Sequence, residues 1–446
     1  MNISLFLFFL FGIQIICLYF GRSSTSSIKD YEEYFLAGRS LKTFALTMTF
    51  IATQIGGGVL LGAAEEAYHY GYRVLLYPIG VALGLIFLGI GPGRKLASGK
   101  YATVVAIFEE VYGSRILRRI AFLLSVSSLL FILVAQVVAL GKLLGIFPYG
   151  KYLVITLWIM LACYTSSGGF VAVVKTDSVQ AIFLLLSVIF CGVFVWCFSP
   201  KIACQSFYAF HSLSANKLSG WILMPMLFML VEQDMVQRCV AASSKKCLTK
   251  ACIFAGICIL LFNLVPLGLG IVGAKLGSNQ GCVLIDTVRC VCGPALASLM
   301  AAAIGVAILS TADSLLSAVA QLVSEEIPKI SGDHYPRLIL VIAVFAPIFA
   351  LLFTNIVDLL ILSYGLSVCC LSVPVIVVLM SNYRPRTISA WAAILFGGGA
   401  YLSGIVFSIG ILNSSIAWLI SLLAFLFVEI STVMFAKLRN SQRILP

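Results

Sequence analysis

Apolar runs of roughly twenty residues recur along the whole of this 446-residue chain, separated by short polar segments. Each run is long enough to cross a bilayer as a helix. The pattern predicts thirteen such helices, over 3–20, 43–66, 74–93, 118–144, 152–167, 170–198, 219–240, 252–274, 295–322, 336–354, 357–380, 388–408 and 412–436. A transmembrane barrel would instead show segments of about ten residues alternating in hydrophobicity, and none is present. The expectation is an all-α polytopic membrane protein, one transmembrane domain over 1–446. The longest polar stretches, 21–42 and 94–117, have the length of loops and not of a soluble domain.

Composition agrees with that reading. Hydrophobic residues make up 61% of the chain and charged residues 10%, against about 25% charged in a soluble domain. The opening run, MNISLFLFFLFGIQIICLYFG, lacks a basic n-region and a clean cleavage site, so it reads as a retained first helix. The net charge of +12 does not call for a nucleic-acid partner, because the basic residues lie in short loops where the positive-inside rule places them. With the N-terminus outside and the C-terminus cytoplasmic, inside segments hold 21 Lys and Arg, Arg238 among them, and outside segments hold 7. The chain is therefore expected as a multi-pass protein of the plasma or inner membrane. Its fourteen cysteines mostly stand singly in apolar runs, where Cys behaves as a small hydrophobe. Cys282, Cys290 and Cys292 fall in a loop expected outside, as free thiols in preference to a disulfide.

Two runs are interrupted. Within IATQIGGGVLLGAAEEAYHYG (51–71) stand Gly56, Gly57 and Gly58. Each glycine costs a helix up to about 1 kcal/mol relative to Ala. Glycines that serve helix packing are usually spaced four apart on one face; three in a row cover every face and loosen the backbone. Setting aside the first helix and the last two leaves ten, which divide into 41–198 and 219–380. The first helix of the second half, LSGWILMPMLFMLVEQDMVQR, holds Pro225 and then Glu232, Gln233 and Asp234. A mid-helix proline removes a hydrogen bond and kinks the chain. Irregular backbone at membrane depth is tolerated only around a cavity, ion or substrate, and interrupted helices at corresponding positions of two repeats point to a transporter's binding site. This predicts two five-helix inverted repeats, with the helices at 1–20 and 388–436 outside them. The solute site is expected beside Gln54, Gly56, Gly57 and Gly58, against Glu232 and Gln233, with Tyr77 and Tyr364 as aromatic walls.

Carboxylates inside membrane spans are costly and by default functional. Asp177, Glu232, Asp234 and Asp313 qualify, whereas Glu429 and Asp358 read as structural. In the ninth run, Ser310, Asp313, Ser314 and Ser317 share one helix face, with Thr311 beside them. Such a stripe offers oxygen ligands to a hard cation. Equally, its hydroxyls can bond to backbone carbonyls or across helices.

Four stretches, YFLAGRSL, ATQIGGG, GGFVAVVKTDSVQA and QRCVAASSKKCLTKA, together with AILSTADSLLSA, resemble the sodium:solute symporter family. The resemblance implies a leucine-transporter-type 5+5 inverted repeat and Na+ as coupling ion. It implies a symporter importing a small polar organic solute by alternating access, and no enzyme. It also implies a sodium site of carbonyls from Ala52, Ile55 and Ala307 and hydroxyls from Ser310 and Thr311. Some members look as though they hold a second cation lower down; here that region carries Asp177, Asp313 and Ser314. Asp313 replaces the usual small hydroxyl, which leaves open a second sodium, a proton or an ion pair with Lys175.

The ATxxGGG segment with Glu65 is most similar to the choline-transporter branch, which surrounds a quaternary ammonium with tryptophans, as cation–π chemistry requires. Gln54 and Glu232 stand where two of these are expected, and Trp158, Trp196, Trp221, Trp391 and Trp418 lie away from both breaks. An amino acid or related hydrogen-bonding solute is favoured over choline; sugars, pantothenate and monocarboxylates stay open. The rival readings are a proton-coupled carrier, an uncoupled channel or sensor on the same fold, and a membrane-embedded enzyme. For the last, His69, His211 and His334 are too far apart to form a catalytic cluster.

Overall fold

A computed structural model of the chain describes residues 2–22, 30–99, 101–145, 147, 149–198, 215–278, 282–327, 329–353, 356–381, 383–407 and 413–442. These are helical almost throughout. The one β-type pairing among them is an isolated bridge between Leu41 and Ala242.

The chain opens with α1 (Ile3–Arg22), the short α2 (Tyr31–Leu36), and α3 (Thr43–Gln54) followed at once by α4 (Gly57–Tyr70). Then come α5 (Leu76–Ile90), the short α6 (Pro92–Leu96) and α7 (Ala106–Glu110), α8 (Arg115–Leu144) and the long α9 (Gly150–Phe198). The second half begins with α10 (Ala215–Val231) and α11 (Gln233–Ala241), then α12 (Lys245–Leu276), α13 (Val283–Cys292), α14 (Pro294–Glu326), α15 (Tyr335–Ala350) and α16 (Ile356–Met380). α17 (Thr387–Val406) and α18 (Ser414–Gln442) close the described chain. Nine helical stretches among the described residues are long and apolar enough to cross a membrane, and one of them, Gly57–Ile90, contains both α4 and α5. Taking α3–α4 and α10–α11 as one broken segment each, and α9 as two, the long helices among the described residues make up thirteen segments, the number that the hydropathy pattern predicts.

The two halves of α9 meet at Gly169, whose φ of 54° and ψ of −149° only glycine adopts readily. A Cβ there would lie 2.5 Å from the carbonyl oxygen of Tyr34. α14 is the most buried of the long helices, with 83% of its apolar window inside the protein. It packs on α9, α8, α1, α13 and α15, and touches α3, α4 and α11. Large apolar side chains such as Phe8, Trp196 and Phe427 are exposed on the outside of the bundle. A patch of that kind needs lipid around it, since exposed in water it would aggregate.

Three expectations are corrected here. The second broken helix does not break at Pro225, which lies inside α10. It breaks seven residues later at Glu232, which has extended backbone (φ −73°, ψ 131°). Arg238 does not lie in a cytoplasmic loop but is the largest fully buried side chain among the described residues, which leaves 20 of the 21 basic residues assigned to inside segments. Cys290 and Cys292 lie in α13 and not in a loop; with Cys282 they are free thiols.

At the end of the bundle near α7, Arg118 bonds Glu109 at 2.7 Å and Glu326 at 2.9 Å, and Arg115 bonds Glu109 at 3.1 Å. These bonds from Arg118 and Arg115 hold the Glu109 carboxyl below its usual range. Glu429 is an anchor: it accepts from Tyr383 at 2.5 Å, from the Arg386 amide at 3.2 Å and from Ser389, tying α18 to the start of α17.

Candidate functional site

The first break is short. α3 ends at Gln54, and Ile55 (φ −96°, ψ 62°) and Gly56 (φ −81°, ψ 172°) leave helical geometry before α4 resumes at Gly57. The last carbonyls of a helix have no amide one turn ahead. Ala52 and Ile55 therefore present carbonyl oxygens at the break. Neither Gly56 nor Gly57 adopts a left-handed conformation; what the glycines supply is proximity. A Cβ on Gly56 would lie 2.6 Å from Thr311 Oγ1, and one on Gly57 would lie 2.1 Å from Ile308 Cγ1. The glycines thus both weaken the helix and bring its break against α14.

Opposite the break, α14 presents Ala307, Ser310 and Thr311, all buried. Thr311 Oγ1 donates to the Ala307 carbonyl at 3.1 Å and lies 3.4 Å from the Thr53 carbonyl. Ser310 donates its proton to Asp177 Oδ1 at 2.7 Å. Both hydroxyls have given their hydrogens away and keep lone pairs to offer. The two carbonyls of the break, the Ala307 carbonyl inside α14 and the two α14 hydroxyls are a neutral all-oxygen set, the donor type that fits a hard monovalent cation better than a thiolate- or imidazole-binding metal.

Between the break, α5, α8, α10, α11 and α14 lies a small cavity. Its walls are Thr53, Gln54, Gly56, Gly58 and Val59 at the break, Tyr77, Ile132 and Gln136, Phe228 and Asp234, and Thr311 and Leu315. Its free space is about 50 Å³, enough for three or four waters at about 15 Å³ each. An organic solute requires these walls to move apart. Gln136 is buried, and its Oε1 has no hydrogen-bond partner.

The sequence-predicted solute residues divide. Gln54, Gly56, Gly58 and Tyr77 line the cavity. Gly57 is turned to Ile308 instead. Glu232 and Gln233 do not line it, and Asp234 does, because the extended backbone at Glu232 rotates α11 relative to α10. Glu232 is buried facing Ser128 and Ser367, with neither carboxyl oxygen in a hydrogen bond of good geometry. Gln233 accepts from the Val104 amide at 3.0 Å and donates to Gln321 at 2.9 Å. With Gln237, which donates to the Phe35 carbonyl at 2.8 Å and to Ser317 at 3.2 Å, it latches α11 across that end of the bundle. The side chain of Tyr364 lies outside the described residues.

The region of Asp177, Asp313 and Ser314 holds what sequence reasoning missed. The Arg238 guanidinium reaches in from α11. Its Nε donates to Thr49 Oγ1 at 3.0 Å, Nη1 to the Asp234 carbonyl at 2.8 Å, and Nη2 to Ser314 Oγ at 2.6 Å and to Thr53. Nη2 also stands 3.4 Å from Asp177 Oδ2, which accepts from Thr49 as well. The Phe170 ring packs 5.6 Å from the guanidinium carbon. Asp313 accepts from Tyr164 at 2.6 Å, and its Oδ1 has no partner. Lys175 is exposed, whereas Asp313 is wholly buried; the buried ion pair of this region is Arg238–Asp177. The signal was available, since Arg238 falls inside a predicted span, where a charge carries the same weight as the carboxylates.

The sodium:solute symporter family profile matches residues 34–331, which is more than half of the chain and contains both breaks and every sequence-predicted site residue except Tyr364. The chain belongs to the sodium:solute symporter family. Over 207 residues it is 33% identical to the high-affinity choline transporter 1 of Caenorhabditis elegans, covering 44% of this chain and 34% of that protein. Over 194 residues it is 31% identical to the sodium/pantothenate symporter of Escherichia coli (strain K12), covering 41% and 38%. The matched stretch spans about a third of the length of these curated relatives. Among solved structures, a Na+-coupled sialic acid symporter in its substrate-bound outward-open state superposes with a TM-score of 0.77 at 16% identity, over 97% of each chain. A nucleobase-cation-symport-1 family transporter gives 0.65 at 16% identity, over 92% of this chain and 95% of that one. The fold is that of these membrane transporters, a 5+5 inverted repeat of the leucine-transporter type.

Proposed function

We propose that the protein is a sodium-coupled symporter that imports a small amine-bearing organic solute by alternating access, with its N-terminus outside and its C-terminus cytoplasmic. The observation that carries the coupling is the position of Thr311. It lines the solute cavity and is also one of the proposed sodium ligands with Ala52, Ile55, Ala307 and Ser310. One helix break, one hydroxyl and one face of α14 serve both ligands. Sodium bound there ties the α3–α4 break to α14 and favours the conformer in which the cavity walls are set for solute. A ligand shifts a conformational equilibrium only through its different affinity for the two states, and linked sites typically couple by about 1–3 kcal/mol. The repeats that move against each other are 41–198 and 219–380.

The solute class follows from the walls. Asp234 is the one charged side chain among the cavity residues, and Gln54 and Gln136 supply amide oxygens. The Tyr77 and Phe228 rings stand nearby, with no tryptophan among the cavity residues. Acceptors of this kind suit a cation that donates hydrogen bonds, such as a primary or secondary ammonium. A quaternary ammonium donates none and depends on an aromatic cage. Amino acids, which carry the same ammonium, belong to this class.

The test is uptake into proteoliposomes driven by an inward sodium gradient, with amino acids, simple amines, choline and neutral sugars as competitors. Sodium-driven uptake inhibited by primary amines supports the reading, as does a rise in KM of tenfold or more in Asp234→Asn. Uptake that proceeds equally in potassium removes the sodium coupling. Competition by choline or sugars alone removes the amine assignment.

A further inference from the structure

We propose that Arg238 is a built-in cation: its guanidinium fills the position a second coupling ion would take, so that the protein binds one sodium per cycle. This rests on the sodium-coupled reading above and specifies its stoichiometry.

The oxygen atoms around the guanidinium make the argument. A carboxylate (Asp177), three hydroxyls (Thr49, Thr53 and Ser314) and a carbonyl (Asp234) converge from α9, α3, α14 and α11. Hard cations are held by oxygen sets of this kind. A buried charged pair is favourable only if its geometry is good and its remaining groups are hydrogen-bonded, and here the bonds from three different helices supply both conditions. The guanidinium does not deprotonate in proteins. The charge opposite Asp177 is therefore permanent and tethered to α11, whereas a sodium ion leaves.

The position also reaches the sodium site. Asp177 spends Oδ2 on Arg238 and Thr49 and accepts the Ser310 hydrogen bond on Oδ1. Arg238 balances the Asp177 carboxylate, Asp177 holds the Ser310 hydrogen, and the Ser310 oxygen stays turned out as an acceptor. Arg238 and Asp177 are positioning residues for the sodium ligands. Outer-shell partners commonly fix the orientation of metal ligands in this way.

The experiment is equilibrium binding of radioactive sodium to the purified full chain in detergent, with potassium as the counter-ion. The wild type is expected to bind one sodium per chain with a Hill coefficient of one. Arg238→Ala opens the oxygen cluster and is expected to bind two, the second displaced by millimolar methylguanidinium. The double variant Arg238→Ala/Asp177→Asn is expected to return to one or to none. Two sodium ions on the wild type overturn the inference while leaving sodium coupling intact. A folded Arg238→Ala that still binds one overturns it too. If that variant does not fold, the wild-type stoichiometry decides alone. No saturable sodium on the wild type is a failure of the coupled reading itself, and is told apart by that result.

Discussion

Arg238 and Asp177 face each other 3.4 Å apart, Nη2 to Oδ2, and neither side chain has any exposed surface. Removing one partner of a buried pair leaves the other charge uncompensated and typically costs about 3–5 kcal/mol. Arg238→Gln and Asp177→Asn are each expected to destabilise by that order, and the double variant by clearly less than their sum. Thermal unfolding of the four proteins in one detergent checks this. Additive losses would mean that the two residues act through other neighbours.

Sodium is expected to stabilise the wild type against potassium. Ligand at 100 times its dissociation constant contributes about 2.7 kcal/mol. Ser310→Ala/Thr311→Ala removes both hydroxyl ligands and is expected to abolish the difference, on top of a fall in melting temperature common to both salts, because Ser310 also donates to the buried Asp177 carboxylate. A sodium-specific rise that survives in the double variant would place the ion elsewhere.

Gly57→Ala brings a methyl group to 2.1 Å from Ile308 Cγ1. Overpacking of this kind typically costs about 1–3 kcal/mol. Ile308→Val on top of it is expected to restore part of the loss, because it removes the atom beyond Cγ1 and eases the rotation needed. A Gly57→Ala protein as stable as wild type would show that α4 and α14 do not meet this closely.

Gln233 serves the latch between α11, α14 and the 101–105 segment, whereas Asp234 faces the cavity. Gln233→Ala leaves the Val104 amide and the Gln321 side chain without their partner, at about 1–3 kcal/mol for an unsatisfied buried group. Melting temperature is expected to fall equally in sodium and potassium, with the solute KM unchanged. A large KM effect in Gln233→Ala would shift the solute contact from Asp234 to its neighbour.

Glu109 supplies a pH dependence. Its folded-state pKa is lowered from the ordinary value of 4.5 by Arg118 and Arg115. A depressed carboxylate stabilises the fold above its unfolded value and loses that contribution as pH falls through the folded one. The stability gap between wild type and Glu109→Gln is therefore expected to be full above pH 4.5 and to shrink below it. Melting curves of both proteins from neutral pH down into the acid range measure the gap; a gap that stays constant would rule out the Arg118 and Arg115 contacts as its source.

Much of the site was legible along the chain. The triple glycine located the first break to within two residues, and the stripe of Ser310, Asp313, Ser314 and Ser317, with Thr311 beside it, marked the helix that faces it. These are local signals: glycines weaken a helix wherever it packs, and helical periodicity puts i, i+3 and i+4 on one face. The second break was seen but misplaced. Pro225 is the stronger local signal, yet a helix tolerates a proline where neighbouring groups accommodate the freed carbonyl, and α10 continues through it. Glu232 carries no comparable breaking signal in its own sequence.

The sequence by itself determined the class of protein: how many segments cross the membrane, which two are interrupted, and which helix bears the hydroxyl and carboxylate face. Hydropathy over about twenty residues and helical periodicity are properties of a segment, so a segment is enough to read them. The tertiary structure alone decided which way the interrupted segment turns. It put Asp234 and not Glu232 into the cavity, made Gln233 part of a latch, and brought Arg238, counted with the basic residues of an inside segment, to Asp177, which lies 61 residues away along the chain. Those outcomes depend on the rotation imposed by one extended residue and on partners supplied by α3, α9 and α14, which no single stretch of sequence contains.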